Sequence, residues 1–327
     1  VDAKFNYLKE VDEEHRLFYS APPFTTNPLK LPFFLMRFFL AARNAKKIMK
    51  RRKIDIVIGM GGYVSAPALW AAHSMKKPIY LCEQNTVPGK VTMLFAKKAK
   101  AILTTFDDTR FFVKPQVAAK CVCVGNPVRG KVLVDVEQKK ARSFFNLEHC
   151  DKVILAIGGS QGARAINELV LGMKRAFPDE FSRIGVIWCT GAGSYEKYRT
   201  IIREDQGLGS LFISPFVEDV GLAYRASDIA ISRSGAGVMM ELAAMSVPSI
   251  LIPYPYAAAD HQNKNADVFA RSGASLKIDN RDATPDKVAP LILDILGSET
   301  KLRAMSAKAR SEAKIDAAAR IVKAVTE

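Results

Sequence analysis

From residue 54 onward the chain alternates between short β-branched runs that end in Gly, Asn or Pro and longer stretches with helical apolar spacing. Such alternation predicts βα units built on parallel sheets. The runs "IDIVIG", "PIYLCEQ", "AILTTF" and "CVCVGNP" read as the strands of a first half, and "VILAIGG", "GVIWCTG", "LFISPF", "IAISRSG" and "SILIPY" as those of a second. The break falls at "VGNPVRGK", where a strand runs into Asn-Pro, so domains of residues 1–124 and 125–327 are expected. Three closing segments, "TPDKVAPLILDILGS", "ETKLRAMSAKARSEA" and "DAAARIVKAVTE", read as helices, the first with Thr284 as N-cap and Pro285 at the first helical position. The predicted fold class is α/β, two doubly wound Rossmann-like domains facing a cleft, with C-terminal helices. In such sheets ligands bind beyond the carboxyl ends of the strands.

One stretch departs from this pattern. "LPFFLMRFFLAARNAKKIMKRRK", Leu31 to Lys53, begins apolar, ends basic and holds no acidic residue. Its apolar part is interrupted by Arg37 and falls short of the roughly 20 residues that a spanning helix needs. A secretory signal would place its charge before the apolar run, so the segment is not expected to direct export either. Ala41, Ala45 and Ile48 at three-to-four spacing predict a packed second half, leaving Phe33 to Leu40 outside the core.

Charge sharpens the reading. The chain has 48 basic and 33 acidic side chains, a net of +15, and ten of the basic ones lie between His15 and Ile54 with no Asp or Glu. A concentrated basic patch implies an anionic partner. The interleaved Phe, Leu and Met favour an anionic membrane surface over nucleic acid, for which no recognised binding motif is present. The five scattered cysteines, Cys82, Cys121, Cys123, Cys150 and Cys189, are expected to be reduced and mostly buried. No G-x-S-x-G elbow, H-E-x-x-H pair or metal-ligand spacing occurs, so neither a bound metal nor a cofactor is expected.

Three glycine turns carry the candidate chemistry. In "VILAIGGSQGARAINELV" a strand, a turn and a helix follow one another: Gly158 and Gly159 allow the turn, Ser160 and Gln161 supply polar groups, and Gly162 admits a ligand to the backbone. Exposed amides at a helix start suit a phosphate, although tight-turn glycines with no ligand fit the same spacing. "VIGMGGYVSAPALWAAH" repeats the arrangement more weakly, with Gly61 and Gly62 and a helix start at Ser65 or Pro67. In "ISRSGAGVMMELAAM" Ser234, Gly235 and Ala236 open a helix carrying Glu241, which suits the vicinal hydroxyls of a ribose or serves as a solvated helix acid. The run Asp260, His261, Gln262, Asn263 and Asn265 offers amides, which read a hydroxyl-rich ligand such as a sugar well. His15, His73 and His149 stand in no motif and are expected to be structural.

Taken together, "GMGGYVSAPA", "CEQNTVPGK", "VGNPVR", "IGGSQGARAIN", "SRSGAG" with "ELAA", and "DHQNKNA" resemble, in order and spacing, the MurG family of GlcNAc transferases over essentially the whole chain. The resemblance implies a GT-B glycosyltransferase that moves GlcNAc from UDP-GlcNAc, with inversion, to the 4-hydroxyl of MurNAc in undecaprenyl-diphospho-MurNAc-pentapeptide, turning lipid I into lipid II in peptidoglycan synthesis. It implies that Asn85 touches the donor sugar, Arg129 lies near the diphosphate, Ser160, Gln161 and Gly162 take phosphate, and Glu241 holds the ribose. It further implies that the turn Ala236, Gly237, Val238, Met239, Met240, Glu241 lines the nucleotide, that Val217 lies by the uracil, and that Gln262 hydrogen-bonds the GlcNAc, with Ser234, Gly235 and Asn263 also among the substrate-binding residues. Phe33, Phe34, Met36, Arg37 and Phe38 are then the membrane contact, at the cytoplasmic face of the bacterial inner membrane. Partners would be UDP-GlcNAc, undecaprenyl-linked lipid I, anionic lipid and other cell-wall and division proteins, with no nucleic acid and no metal.

Members of this family begin with a strand and a "GGTGGH"-type loop whose histidine is the favoured general base. No such loop occurs here, and Val1 is read as corresponding to a point beyond it, so the catalytic base is unknown. Competing readings are another UDP-sugar enzyme of the same fold acting on a lipid acceptor, a UDP-GlcNAc epimerase, and a non-catalytic membrane-bound nucleotide-sugar-binding protein.

Overall fold

The computed structural model describes residues 27, 29–159 and 161–327. Ser160 and His15 therefore lie outside the described residues. The chain divides into two compact units. The smaller holds the described residues up to Glu83, with Pro88–Leu103 and Val113–Val122; the larger holds Gln84–Val87, Thr104–Phe112 and Cys123–Glu327.

The smaller unit is built on a sheet of order β1-β2-β3-β4, in which β1 is Val57–Gly59, β2 Ile79–Glu83, β3 Ala101–Thr104 and β4 Cys121–Cys123. β1 and β2 run parallel, with Val57 opposite Ile79. Ahead of the sheet the helix Leu31–Arg51 lies against the helix Ala66–Ser74. Small side chains permit this close approach: Ala45, Ala71 and Ala72 are buried in one core with Met49, Leu69 and Leu81. Ala41 and Ala42 are buried too, but Ile48 is only half-buried, and Met49 takes the deep position that the sequence pattern assigned to it. At 3.6 residues per turn Met49 falls within the arc spanned by Ala41, Ala42 and Ala45, whereas Ile48 lies outside it.

Along the first two and a half turns of that helix Leu31, Phe33, Leu35, Met36, Phe39 and Leu40 are exposed, while Phe34 and Phe38 are half-buried. Phe38 packs against the core, and Phe39 meets Trp70 edge to face at 5.4 Å. Among the described residues no helix is long and apolar enough to cross a membrane.

In the larger unit the sheet order is β10-β9-β8-β5-β6-β7, and every adjacent pair is parallel. These strands are β5 Lys152–Ile157, β6 Ile184–Cys189, β7 Leu211–Ser214, β8 Ile229–Ser232, β9 Ser249–Leu251 and β10 Ser275–Lys277. The last is a strand the apolar pattern did not show, because "SLK" presents only one apolar residue. β5 explains the double winding: Ile154 and Ala156 join the core beneath the helices Arg164–Ala176 and Pro285–Leu296, and Val153 and Leu155 join the opposite core with Val220 and Tyr224. The unbroken apolar run from Val153 to Ile157, not an alternating one, is what burial on both faces requires. The three closing helices are Pro285–Leu296, Glu299–Glu312 and Ala317–Thr326. Thr284 takes the extended N-cap conformation with Pro285 next, although its hydroxyl makes no capping bond.

Candidate active site

The connection order places a crevice in the larger unit. From β5 the chain winds outward through β6 and β7, then returns to β8 on the other side of β5, so the loops after β5 and β8 part in opposite directions. That is the switch point at which open α/β sheets bind ligands. Register brings the strand ends level, with Ile157 opposite both Cys189 and Ser232, and Ser232 opposite Leu251. A cavity of about 740 Å³ opens there, lined among others by Gly158, Gln161, Gly162, Gly235, Tyr254 and Gln262.

Two helices begin at this cavity. The first, Arg164–Ala176, follows Ala163, and the second, Ala236–Ala244, follows Gly235; neither N-cap residue supplies a side-chain bond to the first turn. Their leading amides are thus left for a ligand, and both helix dipoles favour an anion. Glycine is obligatory at the first turn. A Cβ on Gly158 would stand 2.3 Å from the Ala163 nitrogen, and one on Gly162, at φ +75°, would stand 2.1 Å from the Thr190 carbonyl oxygen. The loop therefore lies close against the strand end at Thr190, and Gly158 and Gly162 line the cavity with backbone alone.

Charge in the cavity comes from groups to which the sequence reading gave no role. Arg233 donates through Nη1 to the carbonyls of Ile252 and Pro253 and to Asn280 Oδ1, and it lies 5.6 Å from the Tyr254 ring centroid. Burial lowers its pKa, yet an arginine remains charged. Arg164 at the rim pairs with Glu168 at 2.7 Å. Arg164 stands in the quoted "IGGSQGARAIN" motif, where a basic residue beside a glycine turn was the available signal, whereas Tyr254 and Tyr256 stand beside no glycine turn.

The candidate residues distribute unevenly. Gln161, Gly162, Gly235, Val238 and Gln262 line the cavity. Gln262 accepts from the Tyr254 amide at 2.9 Å through its side-chain carbonyl, Oε1. Ser234 is fully buried and donates to the Gln262 carbonyl, which ties two of the cavity loops together. Ala236 is buried and Gly237 exposed on the helix start. Met239 and Met240 point into the core with Ala266 and Phe269, so only their backbone is available to a ligand. Val217 is buried in the second core, and Asn263 donates to Asp260. His261 is half-buried, with Nδ1 2.8 Å from the Ala258 carbonyl oxygen.

Glu241 stands one turn beyond Val238 on the same helix. Its Oε1 accepts from Arg129 Nη2 at 3.0 Å and Nε at 3.3 Å, and its Oε2 accepts from the Tyr224 hydroxyl at 2.8 Å. Asn85 is joined to this unit through Asn265: the fully buried Asn265 amide donates to Asn85 Oδ1 and to the Ser234 carbonyl, and its Oδ1 accepts from the Thr86 amide. Two segments distant in sequence are thus tied together by the side chain of a third. Among the described residues no group of three or more His, Cys, Asp or Glu is gathered as for a metal ion.

A parallel sheet with glycine turns and open helix N-termini makes a Rossmann-like scaffold whose cavity suits an anionic ligand. Residues 153–321 match the glycosyltransferase family 28 C-terminal domain, and residues 14–104 match the N-terminal domain of the same family. The UDP-N-acetylglucosamine--N-acetylmuramyl-(pentapeptide) pyrophosphoryl-undecaprenol N-acetylglucosamine transferase of Chlorobium limicola is 36% identical over 294 residues, covering 90% of this chain and 78% of its own. The enzyme of that name from Aquifex aeolicus is 34% identical over 290 residues, 88% of this chain and 80% of its own. The crystal structure of Acinetobacter baumannii MurG superimposes with a TM-score of 0.72 at 25% identity, over 99% of this chain and 87% of that one. A putative UDP-N-acetylglucosamine 2-epimerase from Listeria monocytogenes shares the fold alone, with a TM-score of 0.68 at 16% identity, over 94% of this chain and 81% of that one. The chain belongs to glycosyltransferase family 28, among the MurG enzymes.

Proposed function

We propose that this chain transfers GlcNAc from UDP-GlcNAc to the MurNAc 4-hydroxyl of undecaprenyl-diphospho-MurNAc-pentapeptide. The observation that carries the reading is the cavity at the β5/β8 switch point, onto which two helix N-termini open without side-chain caps. The acceptor oxygen attacks the anomeric carbon, the bond from that carbon to the diphosphate oxygen breaks, and UDP departs with inversion at the sugar. The two helix starts and Arg129 would offset the charge growing on the diphosphate. Glu241 would accept the ribose hydroxyls, Gln262 would donate to the GlcNAc, and Asn85, held by Asn265, would face the same sugar. No residue is assigned as the base that takes the acceptor proton.

The exposed apolar start of the helix Leu31–Arg51, with Phe33, Met36 and Arg37 outward, supports a peripheral seat on the anionic inner leaflet, where the lipid-linked acceptor resides. The half-buried Phe34 and Phe38 would flank that contact. Titration calorimetry with UDP-GlcNAc against UDP-glucose and UDP-galactose tests the donor reading. Preference for UDP-GlcNAc is expected, and Glu241→Ala should weaken its binding by about 1 to 3 kcal/mol, the loss of hydrogen bonds to a charged group. Equal binding of the three sugars would instead favour a broader UDP-sugar enzyme.

A further inference from the structure

The carboxylate of Glu241 has two partners of opposite character. Arg129 approaches Oε1 from the surface: its side chain is 46% exposed, against 13% for Glu241. It sits in extended backbone just before the short turn Gly130–Val132. Tyr224 approaches Oε2 from the interior. It lies on the helix Val220–Ala226, is 1% exposed, and belongs to the core that also holds Val132, Phe145, Leu155 and Leu242.

These two contacts cannot both persist under the proposed function, on which the following inference rests. With both Nε and Nη2 of Arg129 on Oε1, the two acceptor directions of that oxygen are filled, so a guanidinium that stays there excludes a ribose hydroxyl from Oε1 and is not available to the diphosphate. Arg129 must therefore leave Oε1 when the donor enters. Glutamate has three rotatable side-chain bonds, so a carboxylate relieved of its ion pair would spread over several rotamers and lose its aim. One fixed hydrogen bond prevents this.

We propose that Tyr224 is a positioning residue of the ribose site: its hydroxyl holds Oε2 of Glu241 throughout, while Oε1 exchanges Arg129 for a substrate hydroxyl. The geometry suits the task, since an ionised carboxylate oxygen accepts two bonds and Tyr224 uses one direction on Oε2 alone. The phenol also stays a donor. Burial first, and the adjoining Glu241 charge second, push its pKa well above the ordinary tyrosine value. A donor with only two side-chain torsions, locked in a close-packed core, loses no further entropy when the ligand arrives.

The test is a comparison of two ligands on three proteins. Calorimetric affinities for UDP-GlcNAc and for its analogue lacking both ribose hydroxyls are measured with the parent chain, Glu241→Ala and Tyr224→Phe. The parent should prefer the hydroxylated ligand by about tenfold or more, and Glu241→Ala should abolish that preference. Tyr224→Phe, which removes one oxygen and keeps the ring, is expected to cut UDP-GlcNAc affinity at least about fivefold while leaving the analogue's affinity within about twofold. An undiminished preference in Tyr224→Phe overturns the proposal. Equal weakening of both ligands also overturns it, because that result assigns Tyr224 to core packing alone. If Glu241→Ala keeps the full preference, the ribose reading of Glu241 fails first and Tyr224 has no site to position.

Discussion

Lys174 shows how a single side chain can be costly in the fold. It is 4% exposed in the larger unit, and its ammonium donates to the carbonyls of Phe181 at 3.0 Å and Ile184 at 3.1 Å. Burial pushes its pKa down to about 8. The folded protein thus releases this proton at lower pH than the unfolded chain, where a lysine titrates near 10.4. Between about pH 8 and pH 10.4 the unfolded state binds more protons, so this group's contribution to stability rises with pH across that window and is flat below it. Lys174→Met should flatten the slope. Urea midpoints of the parent chain and the variant at pH 7.5 and pH 9.5 check the sign, and identical pH dependence would show that the lysine is charged and solvated. At this scale the sequence was informative only where geometry forces a residue type. Gly158 and Gly162 were visible because any Cβ would strike the Ala163 nitrogen or the Thr190 carbonyl. Tyr224 and Arg233 were not, because a core tyrosine and a site tyrosine look alike until the fold brings Glu241 within 2.8 Å.

At the scale of elements, the helix Leu31–Arg51 combines two faces. Ala41, Ala42, Ala45 and Met49 serve the core, while Leu31, Phe33, Leu35, Met36, Phe39 and Leu40 face outward, and Lys50 and Arg51 complement the dipole in the last turn. Its division into an exposed start and a packed end was legible in the sequence from the alanine spacing. That Phe38 turns inward toward the core was not, since the apolar run from residue 33 to 36 gives no direction. Burying an exposed phenylalanine is worth about 1.5 to 3 kcal/mol. Phe33→Glu combined with Met36→Glu should therefore reduce partition onto vesicles containing anionic lipid by at least about tenfold, without changing UDP-GlcNAc affinity. Cosedimentation measures the first and calorimetry the second. Unchanged partition would move the membrane contact to another surface.

For the whole molecule the excess of +15 charges sets a long-range attraction to anionic surfaces. Screening shortens that reach from about 10 Å at 0.1 M salt to about 3 Å at 1 M. Vesicle binding is accordingly expected to weaken steeply with added salt while donor binding, made inside a cavity, changes much less. Equal salt sensitivity of the two would place the donor contacts at the surface. The parallel α/β architecture was readable from nine β-branched runs, and the tenth strand escaped because "SLK" has too little apolar character to stand out. Three-dimensional neighbours were the part hidden from the sequence, and Asn265 is the extreme case. It accepts from the Thr86 amide, 179 residues earlier in the chain, and donates to Asn85, 180 residues earlier. At a synthesis rate of about 5–20 residues per second, residues 85 and 86 are joined to the chain roughly 9 to 36 s before the amide that will fasten them exists. The "EQN" loop is therefore made early in synthesis and fastened only after Asn265 has been added.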